Sequence, residues 1–450
     1  MKKIFLTILV LAGIHNIASA QFATQTMAGF NSLHQSLHAS PATLPEYKYY
    51  LALPHIDFGV HNNFALNDLF TADGDSMRLD LSKWTRTNSG PLQLQLNQNV
   101  RLLDVGFALS PKNYVYFGSS VQLNQNIALP TGLLQFAEVG RTLDMSGLNL
   151  NVSAWSAYHA GMVQQIGPFT LGIRYSILNG LANLQTIRSN LQLDMSSDSI
   201  QMHTDLEMRG SNLQRQDVNG RPLSGEFPDI SSLVPFSKNK GQSLDIGLGY
   251  TYKDKLSLNL SLLNIGNSIT WQSNLSTYTS NGQFHYTGPI VNMGVDSADN
   301  AFQGIADTIT AQIKQNLGLD TLGTSGSYTT SMTQHMLMHL NYRPYRFLGV
   351  GLIYRGPLNK VQLLNDAPTI TPYVDLQWSP YVSSRIHFTG SSYRSSLGGL
   401  IALRLWGVQL SAGIESVGML FNQSSTRFFQ FQGGLSLCFG KRIGQKRPIS

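Results

Sequence analysis

The feature that most constrains this chain is a period of two in its hydrophobicity, sustained over long segments. Leu244, Ile246, Leu248, Tyr250 and Tyr252 alternate with Asp245, Gly247, Gly249 and Thr251. Leu256, Leu258, Leu260 and Leu262 alternate with Ser257, Asn259 and Ser261. Ile200 to Met208, Val408 to Glu415 and Phe429 to Phe439 repeat the pattern. A strand points successive side chains to opposite faces, so each segment has one apolar and one polar face. A soluble β-sandwich alternates too. These segments, however, exceed the about five or six residues of a globular strand. They meet the roughly 9–11 that a tilted strand needs to cross a bilayer.

Composition points the same way. Only 12% of the 450 residues are charged, against about 25% in an ordinary soluble domain. The polar faces carry Gly, Ser, Thr, Asn and Gln rather than Lys and Glu, which suits a crowded lumen better than a solvated sheet. Aromatic residues gather near segment ends: Tyr47, Tyr49 and Tyr50; Tyr114 and Tyr116; Trp155 and Tyr158; Tyr250 and Tyr252; Tyr373, Trp378 and Tyr381; Phe428 and Phe429. These are expected to form interfacial girdles. The fold expected is all-β, a transmembrane antiparallel β-barrel of about 14 strands, within 12–16 because such barrels usually have even strand numbers. The segments 168–180 and 184–195 read as separate strands, as do 255–265 and 268–279.

The N-terminus reads as an export signal. Lys2 and Lys3 precede the apolar stretch Ile4 to Ile14, and Ala18-Ser19-Ala20 fits a cleavage site. Residues 1–20 are thus expected to be a signal peptide, with a mature start at Gln21. The single cysteine, Cys438, cannot form an internal disulfide. The net charge of +6 is spread along the chain, so no nucleic-acid patch is expected.

The expected organisation follows from these signals. Residues 21–90 hold Pro41, Pro45 and Pro54 and read as a plug or periplasmic segment leading into the first strand. Residues 91–440 form the barrel. Residues 210–241, rich in turn signals, read as a long loop. In 297–327, Phe302, Ile305, Ile309, Ile313 and Leu317 recur at helical spacing, which predicts a short amphipathic helix in a second loop. Residues 441–450 form a basic tail.

Candidate lumen-facing charges are Arg174, Asp245, Arg404 and Glu415, placed inward by parity. Such groups usually hold a wall or plug together and less often select a solute. Gly247 and Gly266 mark close approaches or bends in the wall. Cys438 falls inward on the last strand. His335 and His339 share a strand face about 13 Å apart at about 3.3 Å per residue, too far for one metal. Asp73-Gly74-Asp75 opens like a calcium loop without the rest of that pattern. No nucleophile elbow or phosphate loop occurs. Neither an enzyme, nor a cofactor, nor a metal site is expected.

Several blocks together carry a resemblance. They are Ser40-Pro41-Ala42, Leu51-Ala52-Leu53-Pro54, and Ser243-Leu244-Asp245-Ile246-Gly247 with Tyr250. Asn264-Ile265-Gly266 with Ile269-Thr270-Trp271 follows, and Gly433 to Gly440, including Phe439, closes the set. The chain resembles a family of Bacteroidetes outer-membrane β-barrel proteins, domain-of-unknown-function family 5723. It is similar in style to the barrels of fatty-acid transporters and of gliding and type IX secretion components. That family usually has Asn-Pro-Ala where this chain has Ser40-Pro41-Ala42. The resemblance implies an outer-membrane location and brings no substrate with it. Outer-membrane lipid, the barrel-assembly machinery and a small or hydrophobic solute are the expected partners. The expected function is passive or gated transport. The alternatives are a scaffold barrel in a secretion, motility or surface-attachment assembly, and a soluble β-rich exported protein.

Overall fold

In the computed structural model, the described residues are 26–73, 76–80, 83–84, 90–134, 142–195, 199–212, 238–287, 320–323, 326–359, 367–391, 395–418 and 426–441. Among them, fourteen antiparallel strands close on themselves. In chain order these are β1 (Tyr47–Asn62), β2 (Leu92–Ser110), β3 (Asn113–Leu129), β4 (Asn149–Ile166) and β5 (Phe169–Met195). Then come β6 (Lys240–Tyr252), β7 (Leu256–Trp271), β8 (His335–Tyr345), β9 (Leu348–Pro357) and β10 (Thr369–Ser379). The last four are β11 (Val382–Gly390), β12 (Ser395–Leu405), β13 (Val408–Ile414) and β14 (Phe428–Lys441). Each strand pairs with the next, and β14 pairs with β1 from Tyr47↔Lys441 to His61↔Phe428. Closure leaves the ring no free edge, which is what a sheet in hydrocarbon requires.

The alternation is inside out relative to a soluble sheet. On β6, Ile246, Leu248, Tyr250 and Tyr252 are exposed while Ser243 and Asp245 are buried. On β13, Val408 and Leu410 are exposed while Gln409 and Ser411 are buried. Apolar faces thus form an outer belt and polar faces line the inside, the arrangement of a transmembrane barrel. No helix among the described residues is long and apolar enough to cross a membrane.

Turns of two or three residues join strands at one end, and the connections at the other end are longer, the shortest running from Gly390 to Ser395. Tyr252 to Lys255 turns through Lys253 and Asp254, and Leu405 to Val408 turns through Trp406 and Gly407, all at positive φ. Two positive-φ residues are the hairpin geometry that matches strand twist. Tyr47 and Lys441 lie at this same end, since Tyr49 pairs with both Phe439 and Phe107. The ladder shifts register at several places, among them one between Ala52 and His55 and one between Arg101 and Leu103. Pro54 sits exposed in the first, where no ladder hydrogen bond is lost.

Three readings from sequence need correction. Residues 168–180 and 184–195 form one strand, β5, of 27 residues. Its upper part leaves the ring and pairs with Ser199–Ser211, which pairs with Leu275–Thr287. The segments 199–209 and 268–279 therefore contribute largely to an extension beyond the ring. Short strands Thr142–Asp144 and Asp320–Gly323 flank that extension. Finally, many of the aromatics expected in girdles point inward: Tyr47, Tyr50, Tyr114, Tyr116, Trp155, Tyr373 and Phe428 are buried. The exposed ones, including Tyr49, Tyr250, Tyr252, Tyr345, Trp378, Tyr381 and Trp406, concentrate at the short-turn end.

The expected signal peptide, the helical pattern of 297–319 and the tail 442–450 lie outside the described residues. So do residues 213–237 of the expected loop, whose flanks 210–212 and 238–241 belong largely to strands.

Candidate functional site in the barrel interior

The inward faces do not enclose only each other. Residues 26–44 run against them, and Met27, Ala28, Leu33, Leu37, Ala39 and Ala42 are almost fully buried. Apolar side chains of this segment pack on wall residues: Met27, Phe30 and Leu33 on Leu400 and Ala402, and Leu37 on Tyr114, Tyr116 and Val163. Ser36–Ala39 forms one helical turn.

Polar contacts fix the segment at both ends. At its start, Arg385 on β11 donates from Nη1 to the Thr26 and Ala28 carbonyls, each at 2.7 Å. The same guanidinium donates to both Asp375 oxygens, at 2.6 and 2.9 Å, and lies over the Tyr373 ring. Gln409 donates to the Ser32 carbonyl at 2.7 Å, and Gln35 donates to Ser436 at 3.1 Å. Farther along, Ser261 donates to Ser40 at 3.2 Å. The segment therefore crosses from the β11–β14 wall to the β5–β7 wall.

At the second wall, close approach replaces hydrogen bonding. A Cβ on Gly172 would lie 1.9 Å from the Pro41 carbonyl oxygen. One on Gly247 would lie 2.6 Å from the Ala42 nitrogen. Gly172 and Gly247 are direct cross-strand partners on β5 and β6. Together they make a notch without side chains that receives the Pro41-Ala42 backbone.

Beside the notch is a buried chain of charged groups. Arg174 and Asp245 face each other across β5 and β6. Arg174 Nε and Nη2 approach Asp245 Oδ2 at 2.6 and 2.5 Å. The other Asp245 oxygen accepts the Asn264 amide at 2.6 Å. Arg174 Nη1 lies 2.7 Å from His38 Nδ1, and His38 Nε2 lies 2.8 Å from Asp104 Oδ2. His159 Nε2 stands 2.9 Å from the second Asp104 oxygen. Gly118 makes room, since a Cβ there would fall 1.8 Å from Asp104.

The proton positions follow from donor chemistry. A guanidinium can only donate. Nδ1 of His38 must therefore accept from Arg174, and the ring proton sits on Nε2, which donates to Asp104. Burial, opposed by the Asp104 carboxylate, holds the His38 pKa well below its ordinary value, consistent with a neutral ring. This also decides what the cluster is not. His38, Asp104 and His159 could by spacing alone hold a metal ion. A metal on Nε2 would need its lone pair free and the proton on Nδ1, where Arg174 already donates. The arrangement is a hydrogen-bonded anchor.

Above His38 and Ala39 lies a cavity of ≈ 90 Å³. Since one water needs about 10–15 Å³ of such space, it has room for several waters or one small solute. Arg101, Arg174, Arg355, Asp245, His335 and Asn267 are among its polar lining, and Trp155, Leu178 and Leu337 among the apolar.

The residues marked out by sequence thus fall into groups. Arg174 and Asp245 pair, and Pro41, Ala42 and Gly247 meet at the notch. Glu415 accepts from His387 at 2.9 Å and from Thr389 at 3.3 Å, apart from that network. Arg404 lies near the short-turn rim and donates to the Tyr47 hydroxyl and the Pro380 carbonyl. Trp271 is buried with Trp155, Leu178 and Ile269 inside the barrel, and its indole donates to Thr330 at 2.9 Å. Gly266 and Gly440 adopt positive φ, at 66° and 65°, and Phe439 faces outward. Cys438 is buried inward. Sequence reasoning did not single out His38, Asp104, His159, Asp375 or Arg385. They come together only through register and through the path of residues 26–44.

Residues 41–414 match the family of unknown function DUF5723. No functionally curated protein matches the chain. Among solved structures, the chain is similar to the toluene transporter TbuX of Ralstonia pickettii, at 8% identity and TM-score 0.44, over 95% of this chain and 100% of that one. It is also similar to the P. putida toluene transporter TodX, at 9% identity and TM-score 0.43, over 94% and 100%. A FadL homologue of Pseudomonas aeruginosa aligns at 8% identity and TM-score 0.40, over 94% and 95%.

Proposed function

Because the chain belongs to the DUF5723 family, for which no function is known, its own geometry has to supply a role, and we propose a gated transport barrel of the outer membrane. Residues 26–44 are its plug, and a small solute is its cargo. The observation that carries this reading is the way the segment is held. It crosses the lumen on hydrogen bonds, ion pairs and shape, and its one covalent link to the wall is the chain itself, which runs from residue 44 into β1 at Tyr47. A typical hydrogen bond contributes only about 0.5–1.5 kcal/mol net, so such a plug is closed at rest and still displaceable. Short periplasmic turns and longer outer connections are the habit of such barrels, which supports a periplasmic position for the short-turn end. An export signal on residues 1–20 fits this location. The extension built on β5 favours a second reading, a barrel that also presents a surface to an assembly partner.

The test is planar-bilayer conductance of the refolded protein with and without residues 26–44, with heat-modifiable migration as the folding control. Conductance steps that are rare in the full chain and frequent in the deletion support the plug. Equal conductance in two heat-modifiable proteins refutes it.

A further inference from the structure

The charged groups around the cavity above the plug are already engaged. Arg174 pairs with Asp245, whose other oxygen accepts the Asn264 amide. Arg101 stands 3.5 Å from Asp57. His38 and His159 both face Asp104, at 2.8 and 2.9 Å. Arg355 donates to His335 and has a further interaction in the protein. An ionic solute gives up its hydration on entry, a cost that only a matching charge offsets, and these charges are spent within the protein.

The groups left open to a solute are neutral. Ser243, Asn267 and His335 come from the neighbouring strands β6, β7 and β8, and Asn99 stands across the ring on β2. All four line the cavity and are almost fully buried. Arg355 Nη2 lies 2.5 Å from His335 Nε2. Arginine only donates, so Nε2 accepts and the His335 proton sits on Nδ1. That Nδ1, the Ser243 hydroxyl and the side-chain carbonyl oxygens of Asn99 and Asn267 have no hydrogen-bond partner among the described residues. The set therefore contains a donor, two acceptors and a hydroxyl that can act as either. A carboxylate or phosphate serves the donors and leaves the two carbonyls unmatched. An ammonium does the reverse, and a hydrocarbon serves neither. A hydroxyl both donates and accepts, so a solute carrying several of them serves all four.

Size and the apolar part of the lining narrow the class. The ≈ 90 Å³ of the cavity, at about 10–15 Å³ per water, takes a solute of roughly six to nine non-hydrogen atoms. Trp155, Leu178, Leu263 and Leu337 supply apolar wall, which the C–H faces of a polyol cover and water does not. Apolar walls with a few placed polar groups are the make-up of ligand pockets. Resting on the transport reading above, we infer that this cavity is a binding site for a short neutral polyol, of the size of glycerol or erythritol, held by Ser243, Asn267, His335 and Asn99. The polyol occupies it before the plug gives way, so the site selects what the opened lumen passes.

The experiment is saturation-transfer NMR on the full-length protein in perdeuterated detergent, with erythritol as the probe. The expected result is transfer to erythritol that saturates with concentration and is displaced by glycerol, but not by acetate or methylammonium. Ser243→Ala and Asn99→Ala, on opposite walls, should each weaken erythritol binding about two- to tenfold, with the barrel still heat-modifiable. Either variant suffices if the other does not fold, and the displacement series on the unaltered protein needs neither. No transfer to erythritol, displacement by acetate or methylammonium, or binding unchanged in a folded variant overturns the inference. Each of these leaves the transport reading intact, because that reading stands on conductance with and without residues 26–44. Equal conductance in those two proteins, with erythritol bound as expected, refutes the gate and upholds the site.

Discussion

Gly172→Ala tests the closed state with one carbon atom. The new Cβ would lie 1.9 Å from the Pro41 carbonyl oxygen, 2.2 Å from the Pro41 carbonyl carbon and 2.7 Å from the Ala42 nitrogen. All three are backbone atoms, so no side chain can swing aside. β5 is held on both sides here, with Gly172 paired to Val163 on β4 and to Gly247 on β6. The plug has to move instead of the wall. Overpacking of this kind costs about 1–3 kcal/mol, and at about 1.4 kcal/mol per factor of ten it raises the open-to-closed ratio roughly 5- to 150-fold. The wall itself gains, since Ala in a strand interior is favoured over Gly by about 0.5–1 kcal/mol. The same substitution should thus open the pore and leave the barrel at least as stable. Gly59→Ala is the control. It faces the same interior, but its added Cβ would meet nothing nearer than 3.7 Å. Single-channel recording gives open probability, and the urea midpoint of heat-modifiable migration gives stability. An unchanged open probability in Gly172→Ala, or an equal rise in Gly59→Ala, refutes the notch as the seat of closure.

Two further outcomes follow from the same geometry. Asp245→Asn strands the Arg174 charge, and breaking a buried pair from one side costs about 3–5 kcal/mol. The urea midpoint should fall clearly, whereas Asp254→Asn in an exposed turn should change stability by less than about 0.5 kcal/mol; equal midpoints would contradict the pairing. Trp406 is 98% exposed at the short-turn end, and Trp155 and Trp271 are buried inside. In single-tryptophan variants, brominated lipid should quench Trp406 and spare the other two, and the reverse order would place the membrane belt wrongly.

The barrel itself was legible because its signal is periodic. Long alternating segments, low charge and small polar faces are local properties, and each survives in the structure. What failed was whatever depended on continuity or register. β5 looked broken near Asn179-Gly180, yet its strand runs on because its pairing changes partner there. Parity also fails at bulges. Arg101 and Asp104 are three apart and should face opposite ways, but both are buried, with Leu102 and Leu103 both exposed between them. Asp104 was hidden for that reason. The aromatics misled because position near a segment end says nothing of face, and Tyr114, Tyr116 and Trp155 turn inward. Arg174 and Asp245 could each be assigned to the interior from sequence. That they stand opposite one another needed the ladder.

The length of β5 has a mechanical consequence. Its 27 residues, at about 3.3 Å each, give a contour of about 90 Å, of which roughly 9–11 residues suffice to cross the bilayer. The remainder stands clear of the membrane as a lever rooted in the pore. Gly172 and Arg174, which touch the segment inside, and Asn183 to Met195, which carries the extension, belong to one uninterrupted backbone. A load taken at the far end is therefore carried along covalent bonds to Gly172 and Arg174, the two groups that hold residues 38–42.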